Sequence, residues 1–157
     1  MVGGWHLAQL NVARALAPLE DPLLVDFVAA LDGVNALAEG SPGFVWRLKG
    51  EDGNATSIRI NDDPRMIVNM SVWESVEALF DFAYRSDHTR IMTRRREWFE
   101  KPSGAYMVLW WVPSGHRPRI EEAMARLECL DREGPTARAF TFKTRFPAPA
   151  MPGVAVG

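Results

Sequence analysis

Tyr84, His88 and Arg95 carry a phenol, an imidazole and a guanidinium at helical spacing. With Phe80, Ile91 and Phe99 they form one stripe over residues 80–99 if the helix there runs unbroken. That stripe would face three reactive side chains into an otherwise apolar pocket. An imidazole moves protons near neutral pH or binds a metal. The same segment has a second reading: Ser86-Asp87-His88-Thr89 is a helix start, with His88 satisfied by local hydrogen bonds. The basic run Arg94-Arg95-Arg96, with Arg90 a turn earlier, could grip a carboxylate or phosphate in bidentate fashion. Its residues fan around the helix, so one or two at most face any single site. The others would pair with Glu97, Glu100 and further carboxylates.

Asn11 and Asn69 are amides on predicted strands. A buried amide left unbonded costs about 1–3 kcal/mol. Asn11 could orient a carbonyl or enolate, or bond a neighbouring side chain. Tryptophan is unusually frequent, at Trp5, Trp46, Trp73, Trp98, Trp110 and Trp111. Aromatic rings line sites for flat ligands, and they also fill cores and interfaces. Trp73, Trp98, Trp110, Trp111, Tyr84 and Phe80 are therefore the candidate ligand-binding residues, with His88, Asn11 and Arg95 as candidate catalytic ones. Trp110 and Trp111 are neighbours on a strand and must point to opposite faces. There is no Gly-rich phosphate loop, no H-E-x-x-H, no C-x-x-C and no G-x-S-x-G elbow. His6, His88 and His116 lie on different predicted elements, so the sequence offers no assembled metal site. Haem stays open as a cofactor, because one histidine can serve as its axial ligand and His88 is the candidate.

These side chains need elements to hold them. Alternation predicts strands at 5–14, 44–49, 66–73 and 105–112, with a short extension at 56–60. Asp21-Pro22 opens a helix that Gly40 closes. Ser75 caps a helical stretch over 76–100, interrupted near Arg85-Ser86-Asp87. A further helix spans 118–130, and a last strand is predicted at 139–146, where Phe140, Phe142 and Phe146 share a face. The order is βαββαβ plus a C-terminal helix and strand, a ferredoxin-like α+β sandwich. Strands three and four are apolar on both faces, so the face away from the helices would want a partner, and an identical chain is the simplest one.

The chain has 157 residues, with 18 Lys+Arg against 20 Asp+Glu, a net charge of −2. That suits one domain over 1–146, followed by a Pro/Ala/Gly-rich tail at 147–157 that is flexible or wraps a partner. So small a net charge gives no bulk attraction to nucleic acid or anionic lipid. The longest apolar run, 107–113, is too short to span a membrane. A single cysteine, Cys129, and the lack of a secretory pattern at the start point to the cytoplasm.

The turn Ser41-Pro42-Gly43-Phe44, the junction Val72-Trp73-Glu74-Ser75, and the stretch from Ser86-Asp87-His88-Thr89 to Arg95-Arg96-Glu97-Trp98-Phe99 carry a resemblance. Over residues 5–146 the chain resembles the dimeric α/β-barrel superfamily, which includes antibiotic-biosynthesis and haem-degrading monooxygenases. Within it, the chain looks like a branch catalogued only as a domain of unknown function. The resemblance implies a homodimeric barrel and a pocket between sheet and helices. It places Asn11 where cofactor-free oxygenases and haem degraders keep a pocket Asn, and Trp73 at a recurrent, structural Trp. Aligned on Trp73, Phe82 stands where the haem degraders have a second Trp, and their proximal His falls near Met92 or Thr93. The resemblance thus implies a cofactor-independent monooxygenase- or isomerase-like enzyme acting on a hydrophobic, aromatic or polyketide-like ligand. In it Asn11 would orient a polar group, His88 would move a proton and Arg95 would neutralise an anion. The alternatives are a ligand-binding dimer without chemistry and a haem protein.

Overall fold

The computed structural model describes residues 4–50, 63–86 and 88–149. Strands β1 (Trp5–Arg14) and β3 (Met66–Trp73) keep the bounds that alternation predicts. β2 (Phe44–Arg47) is shorter than expected, and β4 (Met107–Pro113) begins later. The extension at 56–60 lies outside the described residues, as does 150–157 of the tail. The sheet order is β2-β3-β1-β4 with every neighbouring pair antiparallel. This is the ferredoxin-like arrangement of a βαββαβ chain, an α+β fold.

A 3-10 turn at Pro22–Leu24, capped by Asp21 through the Leu23 N–H at 2.9 Å, leads into α1 (Val25–Glu39). Ser75 caps α2 (Val76–Arg85), accepting from Ala78 N at 3.1 Å. Gly43 makes the turn into β2 at φ 84°, and a Cβ there would sit 2.5 Å from Ala78 Cβ. Both the positive φ and the close approach to α2 require glycine. The long helical stretch breaks where Ser86 predicts. The Ser86 hydroxyl donates back to Phe82 O and accepts from His88 N at 3.1 Å, which ends α2 and starts α3 (His88–Met92). A last short piece, α4 (Arg95–Trp98), completes it. Asp87 lies outside the described residues.

The helices α1 to α4 stand over the face of β1 that carries Leu7, Gln9, Asn11 and Ala13. The opposite face carries Ala8, Leu10 and Val12 with Val68, Met70, Val72, Val108, Trp110 and Val112. All of these are buried within the single chain. Helix α5 (Ile120–Glu133) covers the β1 and β4 part of this face, laying Ala123, Leu127 and Leu130 on it. The Trp110 indole N–H donates to Glu122 Oε2 at 2.9 Å and ties sheet to helix. The expected open second face is therefore corrected: the chain closes it with its own helix, as a third layer. The argument for an identical partner on that face goes with it.

The predicted last strand is a second correction. Within it, Ala139 bridges only the nearby Thr136, and Phe140 alone reaches the sheet, through Leu109 N→Phe140 O at 2.8 Å and Phe140 N→Leu109 O at 2.9 Å. The chain then turns at Thr141–Thr144. The alternating phenylalanines are satisfied by ring packing instead of a ladder: Phe140 on Trp111, Phe142 on Phe80 and Tyr84, Phe146 on Phe140. If α5 seals the sheet, Leu127→Ala should lower stability by about 2–5 kcal/mol in urea unfolding followed by tryptophan fluorescence. A loss below half a kcal/mol would mean the face is covered by something else.

Candidate functional site

Between the sheet and α1–α4 lies a cavity of about 240 Å³. Its existence follows from how α1 sits. Phe27, Leu31, Val34 and Ala38 fall on one helical stripe, yet only Ala38 of α1 is buried. The other three are half-buried and line the hollow, so α1 is held off the sheet instead of packing into it. Phe27 rests on Trp98 and Phe99, with ring centroids 5.5 and 4.9 Å away, and these rings wall one end.

The floor is polar. Antiparallel register sets Gln9 opposite Ser71 and Asn11 opposite Asn69. Gln9, only 4% exposed, donates through Nε2 to Asn69 Oδ1 at 2.6 Å and to Ser71 Oγ at 2.9 Å. Its Oε1 accepts from Asn11 Nδ2 at 3.2 Å. The Trp73 indole N–H, which can only donate, closes the chain on Ser71 Oγ at 2.8 Å. In this arrangement Asn11 keeps a second N–H, and Asn69, exposed at the open end, keeps its Nδ2 hydrogens.

His88 satisfies both of its sequence readings. Its backbone N–H is held by Ser86 Oγ as at a helix start, and its ring lines the cavity beside Phe82, centroids 4.8 Å apart. Nδ1 lies 3.3 Å from Ala83 O. A carbonyl oxygen only accepts, so Nδ1 carries the proton and the neutral ring presents a bare Nε2. Burial pushes the His88 pKa below its ordinary value, partly offset by the bond to Ala83 O. The imidazole is thus neutral at pH 7.

Of the predicted site residues, Asn11, Tyr84, His88, Arg95 and Trp98 line this one cavity. Arg95 lies with its guanidinium 5.2 Å from the Tyr106 ring centre. Arg94 instead pairs with Asp26 and Glu97, both at 2.9 Å, the solvated outcome expected for most of the basic run. Trp73, Trp110, Trp111 and Phe80 do not line the cavity. Trp73 is fully buried behind Ser71, and Phe82 stacks on it at 5.2 Å. Trp110 is on the α5 face. Trp111 donates to Phe146 O at 2.9 Å, and Phe80 packs on Tyr84 and Phe142 outside the hollow. The sequence reading missed Gln9, Ser71, Phe82 and Tyr106. Gln9 and Asn11 two apart on a strand, and Asn69 and Ser71 two apart on another, were the available signal.

His88 Nε2 is the atom that would hold a haem iron, and the cavity of about 240 Å³ is small beside the 300–1,000 Å³ usual for drug-sized ligands. Among the described residues no group of three His, Cys, Asp or Glu side chains assembles as a metal site, and no helix is long and apolar enough to cross a membrane.

Two outcomes check this geometry. The native state resists protonating His88 while the unfolded chain takes up that proton near pH 6.5. Stability should therefore fall as pH drops below about 6.5, and His88→Gln should flatten that part of the profile. Gln9→Leu should cost about 1–3 kcal/mol in urea unfolding, because Asn69 and Ser71 lose their buried donor and Asn11 loses its acceptor.

A computed comparison with solved structures finds a cofactor-independent oxygenase, SnoaB, from Streptomyces nogalater, 15% identical over 73% of this chain and 95% of that one, with a TM-score of 0.46. It also finds a protein of unknown function from Nitrosomonas europaea, 14% identical over 74% of this chain and 96% of that one, with a TM-score of 0.45. None of the curated proteins compared matches the chain. The model of a family described as a domain of unknown function, DUF3291, matches residues 6–155, and the chain belongs to that family.

Proposed function

We propose that this chain is a cofactor-independent enzyme of the monooxygenase- or isomerase-like type, acting in the cytoplasm on a small hydrophobic molecule, aromatic or polyketide-like. The observation that carries it is His88: a neutral imidazole, oriented by Ala83 O, with Nε2 free of protein partners among the described residues in a largely apolar cavity. Such a group is a general base. Nε2 would take a proton from a carbon acid or phenol of the ligand. The remaining amide hydrogens of Asn11 and Asn69, aimed by Gln9, would hold the oxygen on which charge develops. An enolate formed this way either takes its proton back at another carbon, which is isomerisation, or gives its electron pair to dioxygen, forming a C–O bond to a peroxide that takes the proton from the imidazolium.

The lining side chains named here all belong to one chain. The homodimer implied by the resemblance stays a proposal and must use a surface other than the α5-covered face. Light scattering tests it, and 17.6 kDa across dilutions ends it.

The activity is tested by a thermal-shift screen of flat aromatic acids and quinones, followed by oxygen uptake and product mass for each hit. His88→Gln should keep binding and lose about a hundredfold or more in turnover. Hits that bind both proteins alike and are never converted would leave a ligand-binding protein without chemistry. A Soret band in the purified protein would favour the haem reading.

A further inference from the structure

The cavity has a charge that the protein as a whole lacks. The net charge is −2, yet Arg47, Arg95 and His88 line the hollow and, among the described residues, no Asp or Glu does. Arg47 bonds Glu39 at 2.9 Å, so its charge is answered on the helix side. Arg95 is different. It is half-buried, and among the described residues no carboxylate pairs with it. The nearby acids are committed elsewhere, Asp26 and Glu97 to Arg94 and Glu100 to Arg14. Arg95 rests on the Tyr106 ring, which holds the guanidinium by its face and leaves its N–H fork open. Tyr84 shares the patch: burial pushes its phenol up, Tyr106 adds to this and Arg95 opposes it.

This patch lies at one end of the hollow. The Val12 N–H bonds Tyr106 O at 2.9 Å, so Tyr106 stands beside the Asn11–Asn69 row, where Asn69 is exposed. Away from that row the lining is Leu79, Phe82, Val34 and Ala38. A half-buried cation without a counter-ion at the mouth, and apolar walls behind it, suit a ligand with the opposite arrangement. Inside a cleft the attraction is stronger than on open surface. A volume of about 240 Å³, below the usual drug-sized range, limits the apolar part to one or two rings.

Resting on the pocket reading above, we infer that the ligand is a compact ring-bearing carboxylic acid, bound as its monoanion. Its carboxylate sits on the Arg95 fork beside Tyr84 and Tyr106, and its ring lies between α1 and the Gln9–Asn11 face of the sheet. The planar fork matches a carboxylate through two parallel N–H donors.

Titration calorimetry of the full chain with 2-naphthoate and with 2-naphthylmethanol, the same ring without charge, tests this. The naphthoate should bind about tenfold or more tightly, the worth of one charge-assisted contact. Added salt should shrink that advantage. Arg95→Gln should abolish it while leaving the alcohol's affinity in place, and Arg95→Lys should keep part of it. Arg96→Gln, on an exposed residue outside the cavity, should change neither. Equal binding of acid and alcohol by the wild type overturns the inference and leaves the pocket reading standing, as does an Arg95→Gln protein that still prefers the acid. Binding of neither probe removes the pocket reading and this inference with it.

Discussion

A primary amide buried on the middle strand sets the terms for the hollow above it. Gln9 has almost no contact with water, so its donors and acceptor must be met by protein. It meets them with Asn69, Ser71 and Asn11, and Trp73 completes Ser71 from behind. Such a row would be an expensive way to build a core, since an apolar residue at position 9 would pack there without needing partners. The amide row instead gives the cavity a polar floor that is already oriented before anything binds. The bonds spent inside the row fix the amides of Asn11 and Asn69. The hydrogens left over point out of a network that cannot easily turn.

The two faces of the same strand show how the chain divides its labour. Residues 8, 10 and 12 are sealed under α5 and make the cohesive core. Residues 9 and 11 face a hollow under a helix that does not close down. Since side chains alternate strictly along a strand, one strand serves both ends without conflict. The stability that α5 adds on one face offsets what the other face forgoes by leaving Phe27, Leu31 and Val34 half-buried. A pocket of this kind can persist in a chain of this size because the opposite layer is complete.

Much of the fold was legible because it depends on local rules. Alternation bounds β1 and β3, Ser86 breaks the helix, and of the stripe Phe80, Tyr84, His88, Ile91, Arg95 and Phe99 all but Phe80 reach the cavity although three short helices, not one, carry it. What could not be read depends on register and on which layer covers which face. Gln9 gains its meaning only when β1 and β3 are aligned so that it meets Ser71 and Asn69, and no single-strand pattern contains that alignment. Trp110 and Trp111 were separable by parity, but parity does not say that α5 takes one face and the Phe140–Phe146 segment covers the other. The alternating phenylalanines near the C-terminus predict a strand by period alone, and ring packing satisfied the same period without a ladder.

His88 and Arg95 line one cavity, one neutral and one cationic, and this pairing has a chemical consequence. Burial keeps the imidazole neutral, which is the form that accepts a proton. Under the proposed function, an anion entering alone would favour the imidazolium, raise the His88 pKa and remove the base as the ligand arrived. A guanidinium that cannot deprotonate and has no carboxylate partner among the described residues prevents this. Once the anion sits on Arg95, the pair is close to neutral as seen from the rest of the hollow, and His88 stays unprotonated. An internal Asp or Glu salt-bridged to Arg95 would neutralise the cation beforehand and leave the incoming charge to act on the imidazole. If the ligand is acidic as proposed, the lack of an Asp or Glu among the described lining residues is what would let a basic histidine and that ligand share one small space.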